Sequence, residues 1–225
     1  MAKPQIEKSR ILIVDDHPLF CEGLRQMIDR NAQLVVCGQV PDAIGAMKAV
    51  AELKPDLVLV DISLEGTNGI DLLKTLKAKY DELPVLVISM HDESLYAERA
   101  LRAGAQGYIM KNQPAKTVRA AIFKVLGGDM FLSEKMSTSM LAKLMKGKTE
   151  PPVSPIQQLS DRELEVFQML GQGKPTRQIA EELDLTIPTI HSFRLRIKEK
   201  LQFKNSTEMM LHAMQWVREG NKVSS

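Results

Sequence analysis

No apolar stretch in this 225-residue chain approaches the ~20 residues that a bilayer-spanning helix needs. The first ten residues, Met1 to Arg10, are polar and charged and lack the apolar core of a secretory signal, so a cytoplasmic protein without a membrane partner is expected. Cysteine is scarce. Cys21 and Cys37 are read as buried, reduced thiols rather than a disulfide, and His17 with Cys21, four apart on one predicted helix face, has no further ligand cluster to make a zinc site. There is no internal repeat. The length accommodates one or two domains. Net charge is only +2, but it is unevenly spread: residues 1–133 carry 16 Lys+Arg against 17 Asp+Glu, residues 134–225 carry 14 against 11. Within the second part, Arg194, Arg196, Lys198, Lys200 and Lys204 crowd into one stretch against Glu199, which raises the prior for a nucleic-acid partner.

What the chain does have is a set of short aliphatic runs that end in chemically useful side chains. Ile11-Leu12-Ile13-Val14 runs into Asp15-Asp16, Leu57-Val58-Leu59-Val60 into Asp61, Val85-Leu86-Val87-Ile88 into Ser89, and the weaker Tyr108-Ile109-Met110 into Lys111. All-apolar runs of this length read as strands buried on both faces of a parallel sheet. In open α/β sheets the ligand site lies outside the carboxyl ends of such strands, so three carboxylates, a hydroxyl and an ammonium can converge there. That set suits Mg²⁺-assisted phosphoryl transfer.

Helical-period segments alternate with the runs. Strands are expected near 10–15, at Leu34 to Cys37, Leu57 to Asp61, Val85 to Ser89 and Gly107 to Met110. Helices are expected at Pro18 to Arg30, Pro41 to Leu53, Gly69 to Lys79, Ser94 to Ala103 and Pro114 to Val125, with Gly104 and Gly127-Gly128 as stops. Five β-α units imply a doubly wound, five-stranded parallel sheet of the flavodoxin-like kind. The expected domains are 1–133 for this unit, 134–155 for a linker and 156–225 for a second domain. The linker begins with a short helical pattern and continues through Pro151, Pro152 and Pro155, a semi-extended composition.

Beyond Ile156 no strand pattern appears, and a small all-α domain is expected. Ser160-Asp161-Arg162-Glu163 is a capping box that opens a helix with Leu164, Phe167, Met169 and Leu170 on its apolar side, closed by Gly171 and Gly173. A second helix, Thr176 to Leu183, buries Ile179, Ala180 and Leu183. After a tight turn at Asp184-Leu185-Thr186 a third runs from about Ile187 to Leu201. This is helix-turn-helix spacing. In the third helix Ile190, Phe193, Ile197 and Leu201 recur at core spacing, which leaves His191, Ser192, Leu195 and Arg196 on the open side and Arg194 and Lys198 at its margin.

Val14-Asp15-Asp16-His17, Val60-Asp61-Ile62, Ile88-Ser89-Met90-His91 and Gly104 through Lys111 resemble, over about residues 9–127, the receiver domain of two-component response regulators. The resemblance implies Asp61 as phosphoacceptor, and Asp15, Asp16, Asp61 and the backbone carbonyl of Ser63 as Mg²⁺ ligands. It also implies Ser89 as switch hydroxyl, Tyr108 as a switch aromatic and Lys111 as phosphate partner. Glu65 is read as a solvated loop acid.

Leu159 through Val166, with Ile179-Ala180 and Thr189-Ile190, resembles the LuxR/NarL-type helix-turn-helix over about 156–217. The whole chain therefore looks like a NarL/FixJ-type response regulator, which implies a sensor histidine kinase and double-stranded DNA as partners and a homodimer when phosphorylated or DNA-bound. Arg194, Arg196 and Lys198 are expected to reach phosphates, His191, Ser192 and Leu195 base edges, and Thr189 a phosphate near the helix N-terminus. Phe193, His191, Asp184 and Pro188 depart from the family's usual residues, so no operator preference carries over. An enzyme with an aspartyl nucleophile would want a second acid two residues after it, and that place is Ser63. A non-enzymatic, phosphorylation-controlled transcription regulator is the reading, over a phosphorylation-independent binding module.

Overall fold

The computed structural model describes residues 8–64, 66–145 and 155–219, and the chain divides into two compact units, Met1–Glu134 and Lys135–Ser225. In the first unit the elements follow the order β1 (Ser9–Val14), α1 (Pro18–Asp29), β2 (Leu34–Val40), α2 (Ala43–Leu53), β3 (Leu57–Val60). A small ribbon of β4 (Ser63–Leu64) and β5 (Thr67–Asn68) comes next, then α3 (Gly69–Lys79), β6 (Val85–Ser89), α4 (Glu93–Arg102), β7 (Gly107–Met110) and α5 (Ala115–Leu126). The sheet order is β2-β1-β3-β6-β7, and every neighbouring pair is parallel. Strand order reverses between β1 and β3, the place where open α/β sheets bind ligands.

The aliphatic runs are buried on both faces because alternate side chains meet different helices. Ile11, Ile13, Leu57, Leu59, Leu86, Ile88 and Ile109 pack against Cys21, Leu24 and Ile28 of α1 and Val118, Ala121, Ile122 and Val125 of α5. Leu12, Val14, Val58, Val60, Val85 and Val87, one step out of phase, are equally buried. Such burial is worth roughly 1.5–3 kcal/mol per large aliphatic side chain, so the strand ends that carry the site are the most firmly held part of the unit.

Helix ends follow local chemistry. Asp42 accepts from the Gly45 N–H at 2.7 Å, so α2 starts at Ala43 rather than at Pro41. Asp92 caps α4 in the same way, at Ser94. Gly104 and Gly128 have φ of +103° and +88°, the left-handed geometry that ends a helix at little cost for glycine alone. β2 extends three residues beyond the apolar run, through Gly38-Gln39-Val40, because its ladder with β1 continues past a register shift between Ile11 and Leu12. The β4/β5 ribbon has no signal in apolar periodicity, being two residues a side.

In the second unit, α6 (Glu134–Met145) covers the helical pattern that begins the expected linker; Pro151 and Pro152 lie outside the described residues, and Pro155 opens a 3₁₀ turn, Pro155–Gln158. α7 (Asp161–Gly171), α8 (Thr176–Glu182), α9 (Ile187–Lys200) and α10 (Ser206–Arg218) follow. The capping box is formed: the Glu163 N–H donates to Ser160 Oγ at 3.3 Å and the Ser160 N–H to Glu163 Oε2 at 2.7 Å. Glu163 Oε2 also accepts from Lys200 Nζ at 2.6 Å, tying the start of α7 to the end of α9. Phe167 meets Trp216 with ring centroids 5.5 Å apart, so α10, which the helix-turn-helix pattern does not itself announce, completes the core. A Cβ on Gly171 would stand 2.3 Å from the Ala213 carbonyl oxygen; that glycine admits α10 against α7.

Candidate functional site: an acidic pocket and a basic helix

Asp15 and Asp16 leave β1, Asp61 leaves β3, Ser89 ends β6 and Lys111 leaves β7, so adjacent parallel strands bring them to one edge of the sheet. Lys111 Nζ lies 2.6 Å from Asp15 Oδ2 and 2.7 Å from Asp61 Oδ2, with all three side chains at most 5% exposed. Its ammonium lies over the Phe20 ring, 4.6 Å from the centroid. Ligand atoms of Asp15, Asp16, His17 and Asp61 all fall within 4.8 Å of one another. Asp61 Oδ1 is buried without a hydrogen-bond partner among the described residues. A buried carboxylate oxygen with no donor is costly in a protein interior. A hard divalent cation among these oxygens would satisfy it, so the donor set fits such an ion.

Electrostatics points the same way. Burial pushes the Asp61 carboxyl above its ordinary value; the Lys111 ammonium opposes this, and the neighbouring Asp15 carboxylate adds to it. For Lys111, burial works to lower the pKa, but Asp61 and Asp15 outweigh it and hold the ammonium charged. The pocket is short of positive charge.

Beside the acids, Ser89 is fully buried and its Oγ accepts from the His91 N–H at 3.3 Å. Tyr108, 1% exposed, donates its hydroxyl to the His91 carbonyl at 2.8 Å, and burial raises its phenol well above the ordinary value. Ser63 Oγ lies 2.8 Å from His91 Nε2, and the His91 ring stacks on Tyr96 at 4.4 Å. Main-chain and side-chain atoms of His91 therefore join Ser63, Ser89 and Tyr108. Glu65 lies outside the described residues.

Thr189, His191, Ser192, Arg194, Leu195, Arg196 and Lys198 all lie on α9. His191, Ser192, Leu195 and Arg196 are exposed, Thr189, Arg194 and Lys198 half-buried. Ile190 and Ile197 are fully buried, but Phe193 and Leu201 are only partly so, a correction to the expected core face. Phe193 sits at the edge, where the Arg196 guanidinium lies 6.0 Å from its centroid. Arg194, expected at the margin of the open face, is half-buried; its guanidinium donates to Thr176 Oγ1 at 2.7 Å and so braces α9 against the start of α8. The Ser192 hydroxyl donates back to the Pro188 carbonyl at 3.1 Å. Thr189 Oγ1 is engaged with the N-cap residue Thr186 at 2.7 Å. Asp184 takes φ of +50° in the turn before α9; Asp and Asn tolerate this better than other non-glycine residues.

Residues 11–123 match the response regulator receiver domain family, and residues 157–213 match the bacterial regulatory proteins of the luxR family. The chain belongs to the response regulators. Among curated relatives, the oxygen regulatory protein NreC of Staphylococcus aureus strain JH9 is 29% identical over 209 residues, 91% of this chain and 96% of that protein. A LuxR-family two-component response regulator from Aurantimonas sp. SI85-9A1 is 30% identical with a TM-score of 0.58, covering 62% of this chain and 99% of its own. RcsB of Salmonella enterica serovar Typhimurium, solved bound to promoter rprA in the presence of the phosphomimetic BeF3-, is 21% identical with a TM-score of 0.63, covering 92% of this chain and 99% of its own. At that identity the last likeness speaks for the fold alone.

This response regulator thus joins a flavodoxin-like receiver to a LuxR-type helix-turn-helix, the domains of a phosphorylation-controlled, DNA-binding transcription regulator. Two site residues escape a reading by strand ends. His17 is the N-cap of α1 rather than a partner of Cys21: its Nδ1 faces Asp16, while the Cys21 thiol is buried, donates to the Asp15 carbonyl and has its pKa pushed up to about 11 by burial and then Asp15, against the pull of Lys111. His91 stands two residues after Ser89, and only the packing of the two loops brings its ring to Ser63. Both cysteines are free thiols. No described helix is long and apolar enough to cross a membrane.

Proposed function

We propose that Asp61 accepts a phosphoryl group from a sensor histidine kinase, and that the modification controls binding of α9 to double-stranded DNA, with the chain acting as a homodimer. The receiver is assigned to residues 1–133, the linker to 134–155 and the DNA-binding domain to 156–225. The observation that carries the reading is the Lys111 ammonium held between Asp15 and Asp61 beside a buried Asp61 oxygen that has no donor.

Asp15, Asp16, Asp61 and the Ser63 carbonyl would hold Mg²⁺, which when bound neutralises charge on the phosphoryl oxygens and on the acid cluster. The Asp61 carboxylate attacks phosphorus; the P–N bond to the kinase histidine breaks with its electron pair staying on nitrogen, and a P–O bond to Asp61 forms. Lys111 is released from one carboxylate by the loss of its charge and turns to a phosphoryl oxygen. Ser89 then donates its hydroxyl to the same group, and a turn of its side chain toward that group loosens its contact with the His91 N–H. Since Tyr108 hangs on the His91 carbonyl, that rearrangement is felt by the aromatic ring. The reaction ends in a modified protein rather than a released product. On DNA, Arg194, Arg196 and Lys198 neutralise phosphates, Thr189 contacts a phosphate near the helix start, and His191, Ser192 and Leu195 face base edges.

Intact-mass measurement after incubation with acetyl phosphate tests the site. One phosphoryl adduct is expected with Mg²⁺, and none after chelation or in Asp61→Asn. An adduct that persists in Asp61→Asn places the acceptor elsewhere.

A further inference from the structure

His17 stands in an unusual place for an exposed histidine. Its main-chain N–H donates to Asp15 Oδ1 at 2.9 Å, and Pro18 restricts its backbone to the extended region it occupies, at φ −101° and ψ 96°. The residue is therefore fixed at the mouth of the pocket. Its Nδ1 lies 2.6 Å from Asp16 Oδ1 and 3.1 Å from Asp15 Oδ1. Both neighbours are carboxylate oxygens, so Nδ1 stands in a place among them that a cation could share. The outward face of the ring is open, with the side chain 62% exposed.

We propose that His17 Nδ1 is a nitrogen donor of the acidic pocket, and that it makes the pocket prefer a divalent transition ion of the Mn²⁺ to Co²⁺ class over Mg²⁺. The inference rests on the pocket being a cation site, as argued above. Two independent observations support it: donor atoms of Asp15, Asp16, His17 and Asp61 within 4.8 Å of one another, and the buried Asp61 Oδ1 without a hydrogen-bond partner in the same cluster. Three carboxylates alone make an oxygen site suited to Mg²⁺. One imidazole among them adds a ligand that Mg²⁺ gains little from and that later first-row ions bind strongly, with affinity rising from Mn²⁺ through Co²⁺. The choice of ion matters to function, because the ion sets how far charge on the incoming phosphoryl group is neutralised.

Untagged full-length protein is titrated with Co²⁺ and, separately, with Mg²⁺ by calorimetry; the Co²⁺ series is also followed by its visible absorption. The wild type is expected to take up one Co²⁺ at least about tenfold more tightly than Mg²⁺. His17→Ala should weaken Co²⁺ by roughly 10- to 100-fold, the scale on which ligand-shell changes act, and leave Mg²⁺ within about twofold. Asp61→Asn should weaken both ions. Equal Co²⁺ affinity in wild type and His17→Ala, or unchanged Co²⁺ absorption between them, overturns the donor role. A gain in Mg²⁺ affinity in His17→Ala also overturns it, because His17 would then be an occupant that the ion displaces. If neither ion binds the wild type at millimolar concentration, the cation site itself fails, which is a different result from losing His17 alone.

Discussion

Gly69→Ala is expected to destabilise this receiver and to displace Asp61, the proposed phosphoacceptor. A Cβ there would lie 1.9 Å from the Asp61 carbonyl oxygen, 2.8 Å from Ile62 Cα and 2.9 Å from the Asp61 carbonyl carbon, whereas carbon atoms in good contact stand about 3.5–4.0 Å apart. Every one of those neighbours is main chain, so no side chain can rotate away. The backbone must part at the place where the Gly69 N–H donates to the Ile62 carbonyl at 2.7 Å and Asp61 hangs on Val14 at 2.9 Å. Overpacking typically costs about 1–3 kcal/mol, and a clash wholly between backbones belongs at the upper end. For a domain between the size classes with shifts of about 2–4 and 4–8 °C per kcal/mol, that is a loss of about 10 °C. Moving Asp61 by about 1 Å from its productive place costs on the order of 100-fold in phosphorylation rate. Gly23→Ala is the control. It lies on the exposed face of α1, nothing stands within 4 Å of the added Cβ, and replacing a helical glycine stabilises by roughly 0.5–1 kcal/mol. Calorimetric melting and acetyl-phosphate labelling should give opposite signs in Tm and a rate loss in Gly69→Ala alone. A Gly69→Ala protein that melts and labels like the wild type refutes the steric argument; one that melts lower but labels normally shows that Gly69 is packing and does not position Asp61.

Lys111→Met leaves Asp15 and Asp61 buried without their ammonium, and breaking such a pair costs about 3–5 kcal/mol; urea unfolding in chelator should show a loss of this order, partly recovered by millimolar Mg²⁺. Glu163 is held below the ordinary carboxylate range: burial works against this, but the hydrogen bonds from Lys200 and the Ser160 backbone outweigh it. Because the folded value is the lower one, its contribution is complete above the unfolded pKa of about 4.3 and is lost as pH falls through the folded value. Between pH 6 and pH 3, Glu163→Gln should therefore lose less stability than the wild type in denaturant titrations. DNA affinity should fall steeply with salt, and Arg196→Ala should shallow the log–log slope by about 0.9 while weakening most sequences alike; an unchanged slope removes Arg196 from the phosphate contacts. Arg194→Ala should in addition lower the melting temperature of the DNA-binding unit, through the lost bond to Thr176, whereas Arg196→Ala should not.

Much of this molecule is written locally. Four aliphatic runs in a chain of alternating period determine parallel strands and place Asp15, Asp16, Asp61, Ser89 and Lys111 at their carboxyl ends, because a strand buried on both faces needs that composition and its end is where polar side chains become affordable. Ser160 and Glu163 announce α7 for an equally local reason, since the capping box is closed within four residues. The tertiary structure decided what depends on residues far apart in sequence. Strand order β2-β1-β3-β6-β7 sets which acids share Lys111, fifty residues from Asp61. Loop packing turns His91, in the sequence only the last residue of a strand-end motif, into the link between Ser63, Ser89 and Tyr108, and helix packing draws Arg194 to Thr176 and leaves Phe193 at the edge of the core it was expected to enter. His17 stands between the two cases. Its backbone is set by the proline beside it, but its partner, Asp16 rather than Cys21, follows from the way β1 delivers the acidic pair into a pocket with a shortage of positive charge.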